Sequence, residues 1–234
     1  MRHGRKGFTL VELLVTVVIL IVLAAVTLGV AGRMKEAGHE ARCVGNLRQW
    51  GAGLLQYIGD SGGKLPRRGQ GIQPLAQIEE NDWWFNCLPP YFGMPPYKEQ
   101  YAAGIQPKPG DNSVFNCPSA KRDKDDKSRH FMSYAMNMYL SPTIRPEAHR
   151  LSDLDRVSQL VFMADAPGPY SSTVPSRNAY GVSARHSGKA NVAFVDGHVQ
   201  TFRGEYLGCG SGEKTCPDIR WQTFSEGVNQ NPVP

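Results

Sequence analysis

The stretch Gly7-Phe8-Thr9-Leu10-Val11-Glu12 follows a basic amino terminus, Met1-Arg2-His3-Gly4-Arg5-Lys6, and opens an apolar run that continues to Val30. About 20 apolar residues suffice for a helix to cross a bilayer, so residues 8–30 predict a transmembrane helix. Glu12 is the only formally charged residue in this run. Because a carboxylate is costly in hydrocarbon, Glu12 is a candidate functional residue.

This arrangement resembles the precursors of type IV pilins and type II secretion pseudopilins, whose leader ends in Gly and whose mature chain begins Phe-Thr-Leu-x-Glu. The resemblance implies that residues 1–7 are a leader, that a prepilin peptidase cuts between Gly7 and Phe8, and that it methylates the new amine of Phe8. It also implies that Glu12 pairs with the Phe8 amine of a neighbouring pilin-like subunit during assembly.

A removable secretory signal peptide is the alternative interpretation of the amino terminus. Val30-Ala31-Gly32 offers small residues to a signal peptidase. The apolar run is longer than the core of an ordinary signal peptide and contains Glu12, which favours pilin-type processing.

The basic leader favours a cytoplasmic amino terminus, although Arg33 and Lys35 reduce the charge difference between the two ends of the run. We therefore expect a single-pass protein of the inner membrane, with its carboxy-terminal domain in the periplasm or outside the cell.

Beyond Val30, apolar residues recur at three- and four-residue steps among charged ones. They are Met34, Ala37, Ala41, Val44, Leu47, Gly51, Leu54 and Ile58. This spacing predicts that residues 31–58 continue the helix as an amphipathic segment whose apolar stripe docks on the outer domain. Gly59-Asp60-Ser61-Gly62-Gly63 supplies the stop.

Residues 59–234 are the expected length of one globular domain. The 25 Gly and 17 Pro make up about 18% of the chain, against about 12% on average, which predicts many turns and loops. With the pilin-like resemblance, the expected fold is α+β: a long amino-terminal helix, transmembrane and then amphipathic, packed on a small, loop-rich antiparallel β-sheet domain.

The net charge of +5 does not indicate a nucleic-acid partner. Arg2, Arg5 and Lys6 lie in the leader, and their removal lowers the charge to +2. The rest of the sequence contains no basic patch interleaved with aromatic residues, so we expect no nucleic-acid binding.

The five cysteines are Cys43, Cys87, Cys117, Cys209 and Cys216. They include no Cys-x-x-Cys pair and no His at a zinc-finger distance, which argues against a metal site by spacing. In an oxidising compartment Cys209 and Cys216 could close a short loop, and Cys43 and Cys117 a long one. Cys87 is then the leftover thiol, although sequence alone does not fix the connectivity.

Residues 64–110 combine aromatic residues with prolines, which is typical of a loop packed by its own side chains. The aromatic residues are Trp83, Trp84, Phe85, Tyr91, Phe92, Tyr97 and Tyr101. Burial in the domain is the preferred interpretation, because aromatic side chains supply large apolar area. An exposed patch for a polysaccharide or a partner protein is the alternative.

Three segments before the carboxy-terminal region predict strands. They are Val114–Pro118, the alternating Met132–Leu140, which should be buried on one face, and the apolar Leu160–Ala164. Asp165 follows the last of them as a loop cap or a ligand. Residues 121–129 carry Asp123, Asp125 and Asp126, but four basic residues offset this charge, so calcium is only a secondary expectation there.

Asp196-Gly197 separates two alternating runs, Asn191–Val195 and His198–Phe202. Asp-Gly is a strong signal for a hairpin with a two-residue type I′ turn. Such a turn places Val195 opposite His198. It also groups Phe194, Val192, Val199 and Thr201 on one face, and Val195, Ala193, His198 and Gln200 on the other.

His186, nine intervening residues and Asp196-Gly197 resemble the His-x9-Asp-Gly class of prepilin-type proteins, in which a pilin-like amino terminus precedes an outer domain of unassigned function. Asp165, His186 and Asp196 are weak candidates for metal ligands. The sequence shows no nucleophile elbow and no phosphate-binding loop, so we expect neither an enzyme nor a required cofactor.

The sequence thus favours a structural pseudopilin-like subunit that assembles into a pilus-like fibre or a type II secretion pseudopilus. The alternative is a membrane-anchored binding module that uses the pilin route only for export. An enzyme with His186 and Asp165 in its active site is the third and least favoured hypothesis.

Overall fold

A computed structural model of the chain describes residues 8–69, 78, 80–108, 110–120, 132–140, 150–168, 172–173, 181–207 and 218–222. The chain forms two compact units, Met1–His39 and Glu40–Pro234. The fold class is α+β and pilin-like, as predicted, with a long amino-terminal helix and a small antiparallel sheet.

The long helix, α1, runs from Leu10 to Asp60. It contains an apolar segment that is long enough to cross a membrane. At its carboxyl end, Ser61 N–H donates to Tyr57 C=O at 2.8 Å and Gly63 N–H donates to Ile58 C=O at 2.8 Å. Gly62 and Gly63 have φ of 66° and 87°, which glycine adopts without a steric penalty. The predicted glycine-rich stop is therefore confirmed.

Within the second unit, the buried stripe of α1 differs from the predicted one. The buried apolar side chains are Cys43, Leu47, Trp50, Leu54 and Ile58. Ala41 is exposed and Val44 is only half-buried. The prediction missed Cys43 and Trp50 because it followed the smaller aliphatic residues, whereas the structure buries both side chains completely.

Trp50 is the centre of an aromatic cluster. Its ring lies edge-on to Trp84 and Phe92 at centroid distances of 4.9 Å each, and to Phe115 at 5.0 Å. Its indole N–H donates to Val114 C=O at 3.0 Å. Because the buried polar atom is satisfied, this large side chain fits in the core without an unpaired donor.

The partners of Trp50 come largely from the proline-rich segment. That segment forms two short helices, α2 (Trp84–Cys87) and α3 (Tyr97–Ala102), with a 3₁₀ turn at Pro89–Phe92 between them. Trp83, Trp84, Phe85 and Tyr97 are buried. The preferred interpretation of these aromatic residues, packing inside the domain, is confirmed.

Among the described residues, the sheet contains five strands in the order β3-β1-β2-β4-β5. The strands are β1 (Tyr134–Asn137), β2 (Val161–Asp165), β3 (Ser172–Thr173), β4 (Lys189–Phe194) and β5 (Val199–Arg203). The pairs β1/β2, β2/β4 and β4/β5 are antiparallel, whereas the two-residue β3 lies parallel to β1. A helical turn, α4 (Gly204–Leu207), follows β5.

Apolar side chains cover both faces of the sheet. One face packs with α1 and the aromatic cluster through Met136, Phe162, Met163, Ala193 and Val195. The other face carries a second cluster, which includes Val161, Ala164, Val192, Phe194, Phe202, Leu207, Ile219 and Trp221. The central strands are therefore buried on both sides, which explains their near-continuous apolar sequences.

Two strand predictions require correction. Residues 114–118 form turns instead of a strand, because Ser113 Oγ and the carbonyl of Ser113 bind the amides of Phe115 and Asn116 locally. The predicted strand Met132–Leu140 shortens to Tyr134–Asn137 and is buried on both faces, and a 3₁₀ turn follows at Met138–Leu140. The Asn137 side chain starts that turn by accepting the Tyr139 amide at 3.1 Å.

The carboxy-terminal hairpin is present, but its register differs by one residue from the prediction. Ala193 pairs with Val199, and Phe194 N–H donates to His198 C=O at 2.9 Å, which leaves a three-residue loop. Gly197 has φ of 88° and its N–H donates to Phe194 C=O at 2.9 Å. This is a type I turn followed by a glycine bulge, which needs only one residue with positive φ where type I′ needs two.

The register shift also changes the faces. Phe194 now stacks on His198, with ring centroids 4.2 Å apart, and joins Val192 and Phe202 in the second cluster. Val199 packs with Ala193 and Val195 on the helix side. The predicted grouping of Phe194 with Val199 is therefore wrong.

The hairpin tip touches the helix. A Cβ built on Gly51 would lie 3.0 Å from both the Cα and the carbonyl oxygen of Gly197. A Cβ on Gly197 would lie 3.0 Å from Leu55 Cδ1. Two glycines thus let the helix and the turn approach more closely than any side chain would permit, and Gly197 also supplies the left-handed backbone.

We expect Gly197→Ala to lower the free energy of unfolding by about 2–3 kcal/mol, because it adds left-handed strain of about 1–2 kcal/mol to the smaller cost of displacing the exposed Leu55 side chain. Gly188→Ala is the matched control, since Gly188 has φ of 80° and a Cβ built on it would meet nothing within 4 Å. Urea denaturation of the full chain in detergent should give a loss of about 1–2 kcal/mol for the control. Equal losses in the two variants would contradict the close approach.

Candidate functional site

The amino terminus of α1 is closed by its own side chains. The Oε2 atom of Glu12 accepts hydrogen bonds from the backbone N–H and the hydroxyl of Thr9, both at 2.8 Å. The Glu12 N–H in turn donates to Thr9 Oγ1 at 3.3 Å. Thr9 is the residue before the first helical position and Glu12 is the third, so the pair forms a reciprocal capping box.

Apolar side chains of the first unit are exposed on all sides of α1. Leu10 is 81% exposed, Ile19 52% and Val26 61%, and residues 8–27 are exposed throughout. Soluble monomers rarely expose apolar patches of this extent, so this surface is suited to lipid or to other apolar helices. Together with its length, this exposure indicates membrane anchoring.

A second candidate site lies inside the second unit, Glu40–Pro234. Cys43 of α1 and Cys117, 74 residues later, form a disulfide with a Cα–Cα distance of 5.2 Å. The Nε2 atom of His186 lies 3.4 Å from Cys117 Sγ and 3.6 Å from the Oδ2 atom of Asp165. All four residues are at most 1% exposed. We call these four residues the buried cluster.

Asp165 is the last residue of β2, and this position brings its side chain into the buried cluster. Its Oδ2 atom accepts the backbone N–H of Asn191 on the neighbouring β4 at 2.7 Å. Burial raises the pKa of its carboxyl above the usual range, while the Arg185 guanidinium and the Asn191 N–H partly oppose that shift. Removal from water is the dominant cause, because it disfavours the charged form.

Arg185 is held beside the cluster by two backbone carbonyls. Its Nη2 atom donates to Ser133 C=O at 3.1 Å and to Ala166 C=O. Ser133 directly precedes Tyr134, which pairs with Asp165 in the sheet, and Ala166 directly follows Asp165. The guanidinium therefore gives the buried carboxylate a nearby positive charge without pairing with it directly.

The His-x9-Asp-Gly motif does not form one site. His186 is fully buried, whereas Asp196 is at the hairpin tip and its Oδ1 atom contacts the Nδ1 atom of His198 at 2.6 Å. Asp196 Oδ1 also accepts the His198 N–H at 3.2 Å. The structure thus brings Asp165 and His186 together, as considered from the sequence, but assigns Asp196 to the turn.

Several predicted site residues lie outside the described residues. They are Gly7, Cys209, Cys216 and the acidic residues Asp123, Asp125 and Asp126. Cys87 is a free thiol, and burial raises its pKa.

The amino-terminal features coincide with a known family pattern. Residues 2–28 match the family model described as the prokaryotic N-terminal methylation motif. The chain carries a prokaryotic N-terminal methylation motif. The motif fits a pilin-like subunit that is processed by a prepilin peptidase. No curated protein and no solved structure matches the chain.

The methylation motif also contains a residue that the sequence-based prediction overlooked. Thr9 caps α1 through the spacing Thr-x-x-Glu, a recognised signal for a helix start. Arg185 and Asn191 were overlooked as partners of Asp165 for a different reason. Their roles depend on strand pairing between β2 and β4, which no local pattern reveals.

Proposed function

We propose that the chain is a structural pilin-like subunit, cut after Gly7 and methylated on Phe8 by a prepilin peptidase, that assembles through α1 into a fibre or a secretion pseudopilus. Its amino terminus faces the cytoplasm, and the second unit, Glu40–Pro234, lies beyond the inner membrane as the outer unit. The proposal includes no catalytic activity and no required cofactor.

The exposed apolar surface of residues 8–27 is the observation that carries this proposal. A helix that only anchors a domain needs lipid-compatible residues, but it has no need for a carboxylate. Glu12 lies within this surface, and a charge at the centre of a membrane costs about 2.5–3.5 kcal/mol, and less near its edge. A contact with another subunit that neutralises Glu12 would offset this free-energy cost. Assembly should therefore depend on Glu12.

Glu12 keeps the capacity for such a contact. A carboxylate offers about four acceptor positions, and the two bonds from Thr9 both end on Oε2. Cleavage after Gly7 creates a positively charged amine on Phe8, so every processed subunit carries both a cation and the Glu12 carboxylate. A neighbouring subunit's amine can therefore bind Glu12 while the capping box stays intact.

The disulfide supports the proposed location of the outer unit. Disulfides persist mainly in oxidising compartments, such as the periplasm and the cell exterior. Cys43 and Cys117 are at most 1% exposed, so their bond belongs to the folded core of the unit. Export of the outer unit provides the conditions for that bond.

Burial also supports a structural role. His186 and Asp165, the two residues of the enzyme hypothesis, have fully buried side chains. The tryptophans and Phe85 of the aromatic segment are packed in the core, which removes them from a polysaccharide-binding surface. The buried cluster and the aromatic cluster therefore serve the fold of the subunit.

Mass spectrometry of the mature chain tests the processing step. We expect an amino-terminal peptide that begins at Phe8 and carries one added methyl group. A peptide that begins near residue 32 would instead indicate a signal peptidase and contradict the proposal.

Photo-crosslinking in membranes tests the assembly step. A photoreactive residue at Val18, which is 51% exposed, should yield a ladder at multiples of the chain mass. The same residue at Ile105 of the outer unit, which is 67% exposed, is the matched control and should yield much less of the ladder. Monomer alone from both positions would favour a solitary anchored module.

A further inference from the structure

Three side chains of the buried cluster converge from distant parts of the sequence. The Sγ atoms of Cys43 and Cys117 and a ring nitrogen of His186 all lie within 4.8 Å of one another. Sulfur and imidazole nitrogen are donors that zinc prefers. Spacing along the sequence excludes only metal sites built from neighbouring residues, and it does not exclude a cluster that the fold assembles.

Asp165 is the candidate fourth donor, beside His186 but outside the group of three. Its Oδ2 atom is 3.6 Å from His186 Nε2. Its Oδ1 atom is buried and has no hydrogen-bond partner among the described residues. A buried carboxylate oxygen without a partner is costly, and a cation is one of the few groups that would satisfy it.

We propose that, when the Cys43–Cys117 disulfide is reduced, these two cysteines, His186 and Asp165 bind one zinc ion. This site goes beyond the proposed assembly function and does not depend on it.

The distances suit tetrahedral zinc. With Zn–S near 2.3 Å and Zn–N near 2.0–2.1 Å, tetrahedral angles separate the two donor atoms by about 3.6 Å. The observed distance from Cys117 Sγ to His186 Nε2 is 3.4 Å. A nitrogen and an oxygen donor would be about 3.4 Å apart, against the observed 3.6 Å. The two sulfurs must move apart, to about 3.8 Å, and the Asp165 carboxylate must move towards them, because it lies outside the group of three donors that are within 4.8 Å of one another.

The conversion of the disulfide into the zinc site is balanced in atoms and electrons. A dithiol reductant transfers two electrons and two protons to the disulfide, which becomes two thiols, and the reductant becomes a disulfide. Zinc then displaces one proton from each thiol and binds the two thiolates. A disulfide oxidant that accepts two electrons from the two thiolates, and two protons from solvent, becomes a dithiol, releases the ion and restores the Cys43–Cys117 bond.

The formal charges of the zinc state also balance. In the zinc state, two thiolates and the carboxylate carry three negative charges, and zinc and Arg185 carry three positive ones. A buried site that stays neutral avoids the large cost of an unpaired charge in a low-dielectric interior.

The test uses the full mature chain in detergent, with Co²⁺ as a spectroscopic probe for Zn²⁺. The other cysteines are replaced by Ser, so that only Cys43 and Cys117 can bind through sulfur. We expect the reduced protein to bind one Co²⁺ per chain with a sulfur-to-cobalt charge-transfer band, and the oxidised protein to show no such band. A reduced, folded protein without that band would overturn the proposal.

Two variants in the same background test the other ligands. His186→Gln and Asp165→Asn should each weaken metal binding by at least about tenfold, because even the loss of an outer-shell partner costs 10–100-fold. Unchanged affinity in either variant would remove that residue from the ligand set and overturn the four-ligand site.

Alkylation of the unmodified chain gives an independent readout if a variant does not fold. In the reduced protein, Zn²⁺ should slow the alkylation of Cys43 and Cys117 at least tenfold, as mapped by mass spectrometry. The free thiol Cys87 is the internal control and should react at the same rate with and without zinc. Equal protection of all three cysteines, or of none, would contradict the site.

Discussion

Glu12→Gln should leave membrane insertion and cleavage after Gly7 unchanged but weaken subunit assembly by about ten- to fiftyfold. Gln still closes a capping box at the third helical position, so α1 keeps its amino-terminal cap. The variant removes only the negative charge. A charge at the membrane centre costs about 2.5 kcal/mol or more, and less near the edge, where Glu12 lies in the first turn of α1. If that charge pairs with the Phe8 amine of a neighbour, we therefore take the lost contact as about 1.4–2.5 kcal/mol, which corresponds to about ten- to fiftyfold in affinity.

Thr9→Ala is the complementary control. It removes the hydroxyl that bonds Glu12 but keeps the carboxylate. Loss of a cap costs about 1 kcal/mol of helix stability, and we expect cross-linked oligomers to form at near wild-type levels. The readout for both variants is the ladder from the photoreactive residue at Val18, together with the mass of the mature amino terminus.

The two substitutions separate two roles of Glu12. If Glu12→Gln assembles normally while Thr9→Ala does not, the cap alone matters and the charge-pair mechanism is wrong. Glu12→Ala, which removes both cap and charge, should be at least as defective as Glu12→Gln.

Removal of the disulfide should have the largest effect on stability. Replacement of both Cys43 and Cys117 by Ala should lower the free energy of unfolding by about 4 kcal/mol, because the bond closes a loop of 74 residues in the unfolded chain. Domains of this size are typically stable by only about 5–15 kcal/mol, so the outer unit should unfold at a much lower urea concentration.

Cys87→Ala provides the matched control for that variant. Cys87 is a half-buried thiol that forms no disulfide with the other cysteines that the structure describes, Cys43 and Cys117. We expect its removal to cost about 1 kcal/mol or less, as for most substitutions outside a fully packed core. Urea denaturation curves of the two variants that coincide with the wild type would show that the disulfide does not stabilise the outer unit.

The features that the sequence predicted well are those with a local physical cause. The apolar run of residues 8–30 and the glycines at 62 and 63 specify where α1 can lie and where it stops. The long alternation around Asp196-Gly197 specifies a hairpin. These patterns depend on residues that are close in the sequence. They can therefore be interpreted without knowing which distant residues pack against them.

The hairpin register shows where local information ends. Asp-Gly is compatible with a two-residue turn and with a three-residue turn that has a glycine bulge. The close approach of Gly51 to Gly197 accompanies the second choice, and Gly51 lies almost 150 residues earlier in the chain. The hairpin register therefore differs by one residue from the local prediction, at a position where the turn packs on the helix. As a result, Phe194 and Val199, which were predicted to share a face, lie on opposite faces.

The sequence suggested the two pairs of the buried cluster, Cys43 with Cys117 and His186 with Asp165, but for the same reason it did not predict that the two pairs meet. Cys43, Cys117 and Asp165 belong to a helix, a turn and a strand, and strand pairing and helix packing bring them to His186. The pairing of Cys43 with Cys117 was one of several connectivities that five cysteines permit. Only the fold shows that His186 and Asp165 surround that bond.

The position of the disulfide along α1 has a mechanical consequence. A force transmitted from the first unit enters the outer unit at Glu40, and Cys43 lies less than one helical turn further on. The force therefore reaches the covalent bond to Cys117 first. The noncovalent contacts of Leu47, Trp50 and Leu54 lie behind that bond and are protected by it. The disulfide therefore holds α1 to the rest of the outer unit at the position where a pulling force would first separate them.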